Sequence, residues 1–174
     1  MLIALVILVA WAQAAPVEIP HDPGLYYLTP QGLVRIEGRS VTVARSHKKV
    51  PLAGSNGAKG EILGAHSGRS VSATPVFYYR TASGGESTGA GDLALVKLKP
   101  HGKAREVTLG SETDWKASAG IPLKSQVPFN SQQVESGAFR LEPADDLPPG
   151  EYGFYLFRGH DLPGFLFDFS VPAE

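Results

Sequence analysis

From Leu25 to the end of the chain, apolar and polar residues alternate in short segments separated by turn formers. This period-2 pattern predicts β-strands, and their close spacing predicts a sandwich or barrel rather than alternating strands and helices. Leu25–Leu28, Leu33–Ile36 and Val41–Val43 read as a meander. Thr29-Pro30-Gln31-Gly32 suits a type I turn, and Glu37-Gly38-Arg39-Ser40 is read as the second turn. Leu93–Lys99 and Ala104–Leu109 flank Pro100-His101-Gly102-Lys103 as a hairpin, with Val107 and Leu109 facing inward and Glu106 and Thr108 outward. Toward the C-terminus, Phe139 and Leu141 share one face, Glu151–Arg158 is apolar on both faces and reads as a central strand, and Phe165–Val171 alternates strictly. In that last segment Phe165, Phe167, Phe169 and Val171 face one way, and Leu166, Asp168 and Ser170 face the other.

Between the early and middle strands, Pro51 to Gly91 is rich in glycine and reads as long surface loops around one strand, Val76–Tyr79, which begins after Pro75. Two single helical turns are expected, at Ser111–Asp114 and at Asn130–Gln133, where Asn130 and Gln133 have the spacing of a capping box ended by Gly137. Neither is long enough to contribute a core helix.

Leu2 to Ala15 is an almost unbroken apolar run closed by Ala12-Gln13-Ala14, the pattern of a secretory signal peptide over residues 1–14. At about 1.5 Å per residue the run spans about 21 Å as a helix, short of a hydrocarbon core of about 30 Å. The expectation is export to a bacterial periplasm or the medium, with one domain over 15–174 and no stable membrane anchor after cleavage. Cys is absent and Met1 is the single methionine, which excludes thiolate nucleophiles, Cys-ligated metals and disulfides from the chemistry of this sequence.

Gly 20 and Pro 14 fill about a fifth of 174 residues, which argues against a helical bundle, and 43% hydrophobic residues can support a core. Sixteen basic and 17 acidic residues balance to a net charge of -1, so no electrostatic case for nucleic acid arises.

Leu147-Pro148-Pro149-Gly150-Glu151-Tyr152, between two predicted strands, resembles the corner between strands E and F of immunoglobulin-like and fibronectin-III-like sandwiches. The resemblance implies an immunoglobulin-like β-sandwich in which Tyr152 bonds back to the corner backbone, with Leu147 and Gly150 as its structural companions. The tail from PGEYGFYLF to FDFSV also resembles exported bacterial proteins of unknown function.

Candidate chemistry lies on the loops and strand faces. Glu142, Asp145, Asp146 and Glu151 crowd four carboxylates around the corner, which suits calcium in oxygen ligation, with a solvated acidic edge as the plainer reading. His160-Asp161, with Asp145-Asp146, is a candidate metal or general-base site if the loops converge. Lys97, Lys99, Lys103 and Arg105 lie along the hairpin as a basic stripe for an anionic polysaccharide or acidic protein, although edge lysines also block aggregation. Paired rings at Tyr26-Tyr27, Tyr78-Tyr79 and Tyr152/Tyr155 are candidates for sugar stacking, with core packing as the plainer reading. No nucleophile elbow occurs, since His66-Ser67-Gly68 lacks the strand-turn-helix setting, and no phosphate loop occurs.

The sequence therefore reads as an all-β, immunoglobulin-like β-sandwich of about seven to nine strands with long Gly-rich loops. Its expected role is noncatalytic binding of a protein or glycan, with no resident cofactor unless calcium occupies the corner. The alternatives are a hydrolase using loop carboxylates and His160, and a subunit that assembles by strand exchange.

Overall fold

The computed structural model describes residues 17–44, 59–82, 90–109, 117–118, 120–157 and 164–173. The signal segment, Ser111–Asp114, His160 and Asp161 lie outside the described residues. Among those described, no helix is long and apolar enough to cross a membrane.

The chain is all-β. Its strands are β1 (Gly24–Thr29), β2 (Gly32–Ile36), β3 (Gly38–Ser40), β4 (Thr42–Ala44), β5 (Lys59–Leu63), β6 (Phe77–Arg80) and β7 (Leu93–His101). They continue as β8 (Ala104–Thr108), β9 (Ala117–Ser118), β10 (Ile121–Pro122), β11 (Phe129–Glu135), β12 (Ala138–Pro143), β13 (Gly150–Leu156) and β14 (Phe165–Val171). One antiparallel sheet runs β11-β12-β6-β1-β2, a second runs β3-β14-β13-β7-β8-β5-β4, and β9 pairs with β10.

Alternation along these strands builds two cores on opposite faces of the second sheet. Leu25, Phe77 and Leu141 from the first sheet meet Leu95, Phe154 and Phe169 from the second, all fully buried. Phe77 packs edge-on to Phe154 at 5.3 Å and tilted to Phe169 at 4.9 Å, the geometries that aromatic quadrupoles favour. On the opposite face, Ala94, Val96 and Leu98 of β7 join Ile62, Val107, Tyr155 and Leu166. Strands β7, β13 and β14 are thus buried on both sides, as the two-sided apolar pattern of Glu151–Arg158 requires of a central strand.

The edges of the second sheet are consecutive in the chain. β3 pairs with β14, β4 pairs with β5, and only Val41 separates them. The sheet therefore closes into a ring around the second core, and the buried Val41 sits at the seam with its N–H donated to the Gly164 carbonyl at 3.2 Å.

Three sequence expectations change. Gly38–Ser40 is a strand rather than a turn, because its ladder with Phe165–Phe167 carries the chain from one sheet to the other. The Gly-rich region contains β5, paired over Lys59–Leu63 with β8. Gly60 is part of that strand because a Cβ there would meet Val41 at 2.4 Å and Val107 at 2.9 Å, so only glycine admits the close approach. Asn130–Gln133 belongs to β11, where Ser131 pairs with Leu141 and Gln132 with Arg140. A long cross-strand ladder supplies more hydrogen bonds than one isolated helical turn can nucleate.

Two stability measurements test this packing. Gly60→Ala overpacks the ring and is expected to cost about 1–3 kcal/mol in urea denaturation; an unchanged midpoint would contradict the close approach. Burial raises the Tyr155 hydroxyl pKa, opposed by a hydrogen bond with the Gly164 backbone. The folded state then holds this proton longer than the unfolded chain, so the contribution is whole below about pH 10 and is lost as pH rises through the raised value. Tyr155→Phe should remove that part of the alkaline fall in Tm.

Candidate functional site

The polar centre of the molecule lies at one end of the ring. Arg105 shares the strand parity of Val107 and so points inward, where it is fully buried. Its Nη1 donates to Glu151 Oε2 at 2.9 Å, and its Nε donates to the Gly64 carbonyl at 2.9 Å. Nη2 lies 2.8 Å from Asp168 Oδ2, a contact of opposite charges without hydrogen-bond alignment. Glu151 of β13 and Asp168 of β14 are themselves buried, so the guanidinium bridges two strands of the sheet from a third.

The loop after β5 completes the network. Gly64 adopts φ +100, a left-handed conformation that favours glycine, while its N–H donates to the Lys103 carbonyl at 2.9 Å. The next turn brings the Ser67 N–H to Glu151 Oε2 at 2.8 Å and His66 Nδ1 to 3.2 Å from Oε1. Ser67 Oγ donates to the Asp168 carbonyl at 2.9 Å. Its hydroxyl is therefore committed to the backbone rather than poised beside an imidazole, and the arrangement lacks the hydrogen-bonded nucleophile and base of acyl transfer.

A cleft of about 200 Å³ opens beside this network where β2 passes into β3, with Arg35, Glu37, Arg39, Ser67, Arg69 and Asp168 among its walls. Arg39 is held by its Nε, 3.4 Å from Asp168 Oδ1, and by Nη1 donating to the Leu63 carbonyl at 3.1 Å. Arg35 Nη2 donates to the Pro23 carbonyl at 3.2 Å. The Arg69 backbone is pinned on both sides, its N–H to Ser67 Oγ and its carbonyl to the Ser170 N–H. Among the described residues the Arg69 guanidinium has no hydrogen-bond or ion-pair partner. Three arginines line one small cleft together with the Glu37 and Asp168 carboxylates, and a guanidinium edge left open by its anchors can pair with an oxygen of a carboxylate, sulfate or phosphate.

The residues singled out from sequence are dispersed. Lys97, Lys99 and Lys103 are exposed, but Arg105 is interior, so the expected four-residue basic stripe is not assembled. Lys97 lies with Nζ 5.4 Å from the Tyr152 ring centre. Tyr78 and Tyr79 are 8% and 3% exposed, which removes them as an open sugar platform. Of the acidic corner, Glu151 is taken by Arg105 and Glu142 is paired with Arg140, leaving Asp145 and Asp146 exposed. Among the described residues these four carboxylates do not bring their oxygens within 4.8 Å of one another as a group.

The corner itself has the bond its sequence implied: the buried Tyr152 donates its hydroxyl to the Pro148 carbonyl at 2.8 Å, and Leu147 is buried. Arg35, Arg39, His66, Ser67 and Arg69 were not singled out as a site. The available signal was the parity of Arg105, which falls on the face of Val107 and Leu109; Asp168 shares the face of Leu166 and Ser170, opposite the phenylalanines, and carried no such signal.

Arg105→Met leaves two buried carboxylates without their shared cation and is expected to cost about 3–5 kcal/mol by urea denaturation. Lys103→Ser, at an exposed side chain of the same hairpin, should stay within about 0.5 kcal/mol. Equal effects would place Arg105 outside the folded network. No known protein family, curated protein or solved structure matches this chain.

Proposed function

We propose that the protein is an exported, noncatalytic binding module with an immunoglobulin-like β-sandwich, and that the arginine cleft takes an acidic group of a polysaccharide. The observation that carries the binding reading is the unpartnered Arg69 guanidinium beside two anchored arginines. A cleft of about 200 Å³ is smaller than typical small-molecule pockets of about 300–1,000 Å³, so it fits one acidic group of a longer polymer rather than an entire ligand. Export rests on the apolar N-terminal run closed by Ala12-Gln13-Ala14, which favours the periplasm or the medium.

Strand order supports the immunoglobulin-like part. Taken as strands A, B, E and D, β1, β6, β12 and β11 lie side by side as A-B-E-D, while β7, β13 and β14 follow the order C-F-G. The E-to-F connection then crosses between sheets at the corner that Tyr152 ties down.

The test is a thermal melt with polygalacturonate, neutral dextran or polyglutamate. Polygalacturonate at 100 times its dissociation constant should add about 2.7 kcal/mol, raising Tm by several degrees, with dextran inert and the rise fading in salt. Arg69→Ala removes a side chain with no partner among the described residues, so it should abolish the rise while leaving the unliganded Tm unchanged. A rise with polyglutamate alone would transfer the reading to an acidic protein partner. A rise that survives Arg69→Ala, or none at all, would overturn the cleft as the binding site.

A further inference from the structure

We infer a second site, for a divalent transition ion of the zinc type, on the outer wall of the ring at Glu61, His101 and Glu106. The three side chains come from three adjacent strands, β5, β7 and β8. Their potential ligand atoms all lie within 4.8 Å of one another.

The strand register explains why these groups converge. Glu61 stands directly opposite Glu106 across the β5–β8 ladder. Two carboxylates directly opposed on one face repel, so a cation between them is stabilising. Glu106 already has cationic neighbours, with Lys59 Nζ at 2.7 Å from Oε2 and His101 Nδ1 at 3.4 Å from Oε1. The hydrogen bond from Lys59 lowers the Glu106 pKa, burial opposes it, and the charges of His101, Lys59 and Lys99 lower it further. Glu61 has no hydrogen-bond or ion-pair partner among the described residues.

The chemistry of the set selects the ion. One imidazole nitrogen with two carboxylates matches zinc, which takes such ligands at about 2.0–2.2 Å and leaves a fourth tetrahedral position to water. Two ligands on tetrahedral zinc stand about 3.4 Å apart by that geometry. His101 Nδ1 and Glu106 Oε1 are already 3.4 Å apart. Rotation of the Glu61 side chain supplies the remaining closure. Calcium is a poor fit, since it requires about six to eight oxygen ligands. Lys59 is the competitor: its ammonium occupies Oε2 and repels an incoming dication.

Isothermal titration of the folded protein with zinc chloride tests the site. Wild type should bind one ion, and His101→Ala and Glu61→Gln should each weaken binding at least tenfold with unchanged circular dichroism. Lys59→Ala should tighten it by about tenfold, from removing one positive charge about 6 Å from a dication in water. This last arm separates the site from incidental zinc capture at His21 or His66, which Lys59 does not neighbour. No binding by wild type at 100 times the protein concentration, binding unaffected by His101→Ala, or weaker binding by Lys59→Ala would each overturn the inference.

Discussion

Inside the ring the Arg105 head donates from Nε to the Gly64 carbonyl and from Nη1 to Glu151, and Nη2 lies against Asp168 as an ion pair without hydrogen-bond alignment. Desolvating such charges costs several kcal/mol per ion, which the mutual attraction in a low-dielectric interior offsets only when the geometry is nearly complete. The consequence is register. A slip of β8 by one residue would turn Arg105 outward and Glu106 inward, stranding Glu151 and Asp168 without a counter-ion. An apolar residue in place of Arg105 would permit that slip at far smaller cost. The triad thus specifies how β8 meets β13 and β14 from across the ring, a link that no backbone ladder supplies.

The same interaction prepares the surface beside it. Asp168 accepts Arg105 from within and Arg39 from without, so one carboxylate ties the interior charge to the wall of the cleft. Glu151 likewise gathers the Ser67 N–H and His66, which sets the turn that carries Arg69. Long arginine side chains ordinarily lose rotamer entropy when they grip an anion. Arg39 has already lost much of that freedom through its two anchors, so less remains to be lost on binding.

Where burial follows simple alternation, the fold was legible in the residues. The faces of Phe165–Val171, the two-sided burial of β13 and the Tyr152 corner bond all follow from period 2 and from local turn chemistry. Legibility ended where long-range partners decide. β5 carries a glycine that reads as a loop former until Val41 and Val107 are seen to press against it. β11 is polar and exposed along nearly its whole length, so only its ladder with β12 distinguishes it from a turn. Arg105 was assigned to the surface on charge, although its parity with Val107 and Leu109 pointed inward. For the site, charge type outweighed periodicity, and periodicity was the better guide.

The placement of the chemistry divides the molecule unequally. Arg35, Arg39, Glu61, His66, Ser67, Arg69, His101, Arg105 and Glu106 all lie on β2, β3, β5, the loop after β5, or the β7–β8 hairpin. These segments lie between β1 and β6 or at the β7–β8 turn, whereas Glu151 and Asp168 project from β13 and β14 into the ring. The aromatic core between the sheets can therefore hold β13 and β14 rigid while the ring varies its outward residues, since the two cores lie on opposite faces of the same strands. A change at Arg69 or Glu61 meets little of the packing that a change at Phe154 would disturb, so these surface positions can vary without the fold having to follow.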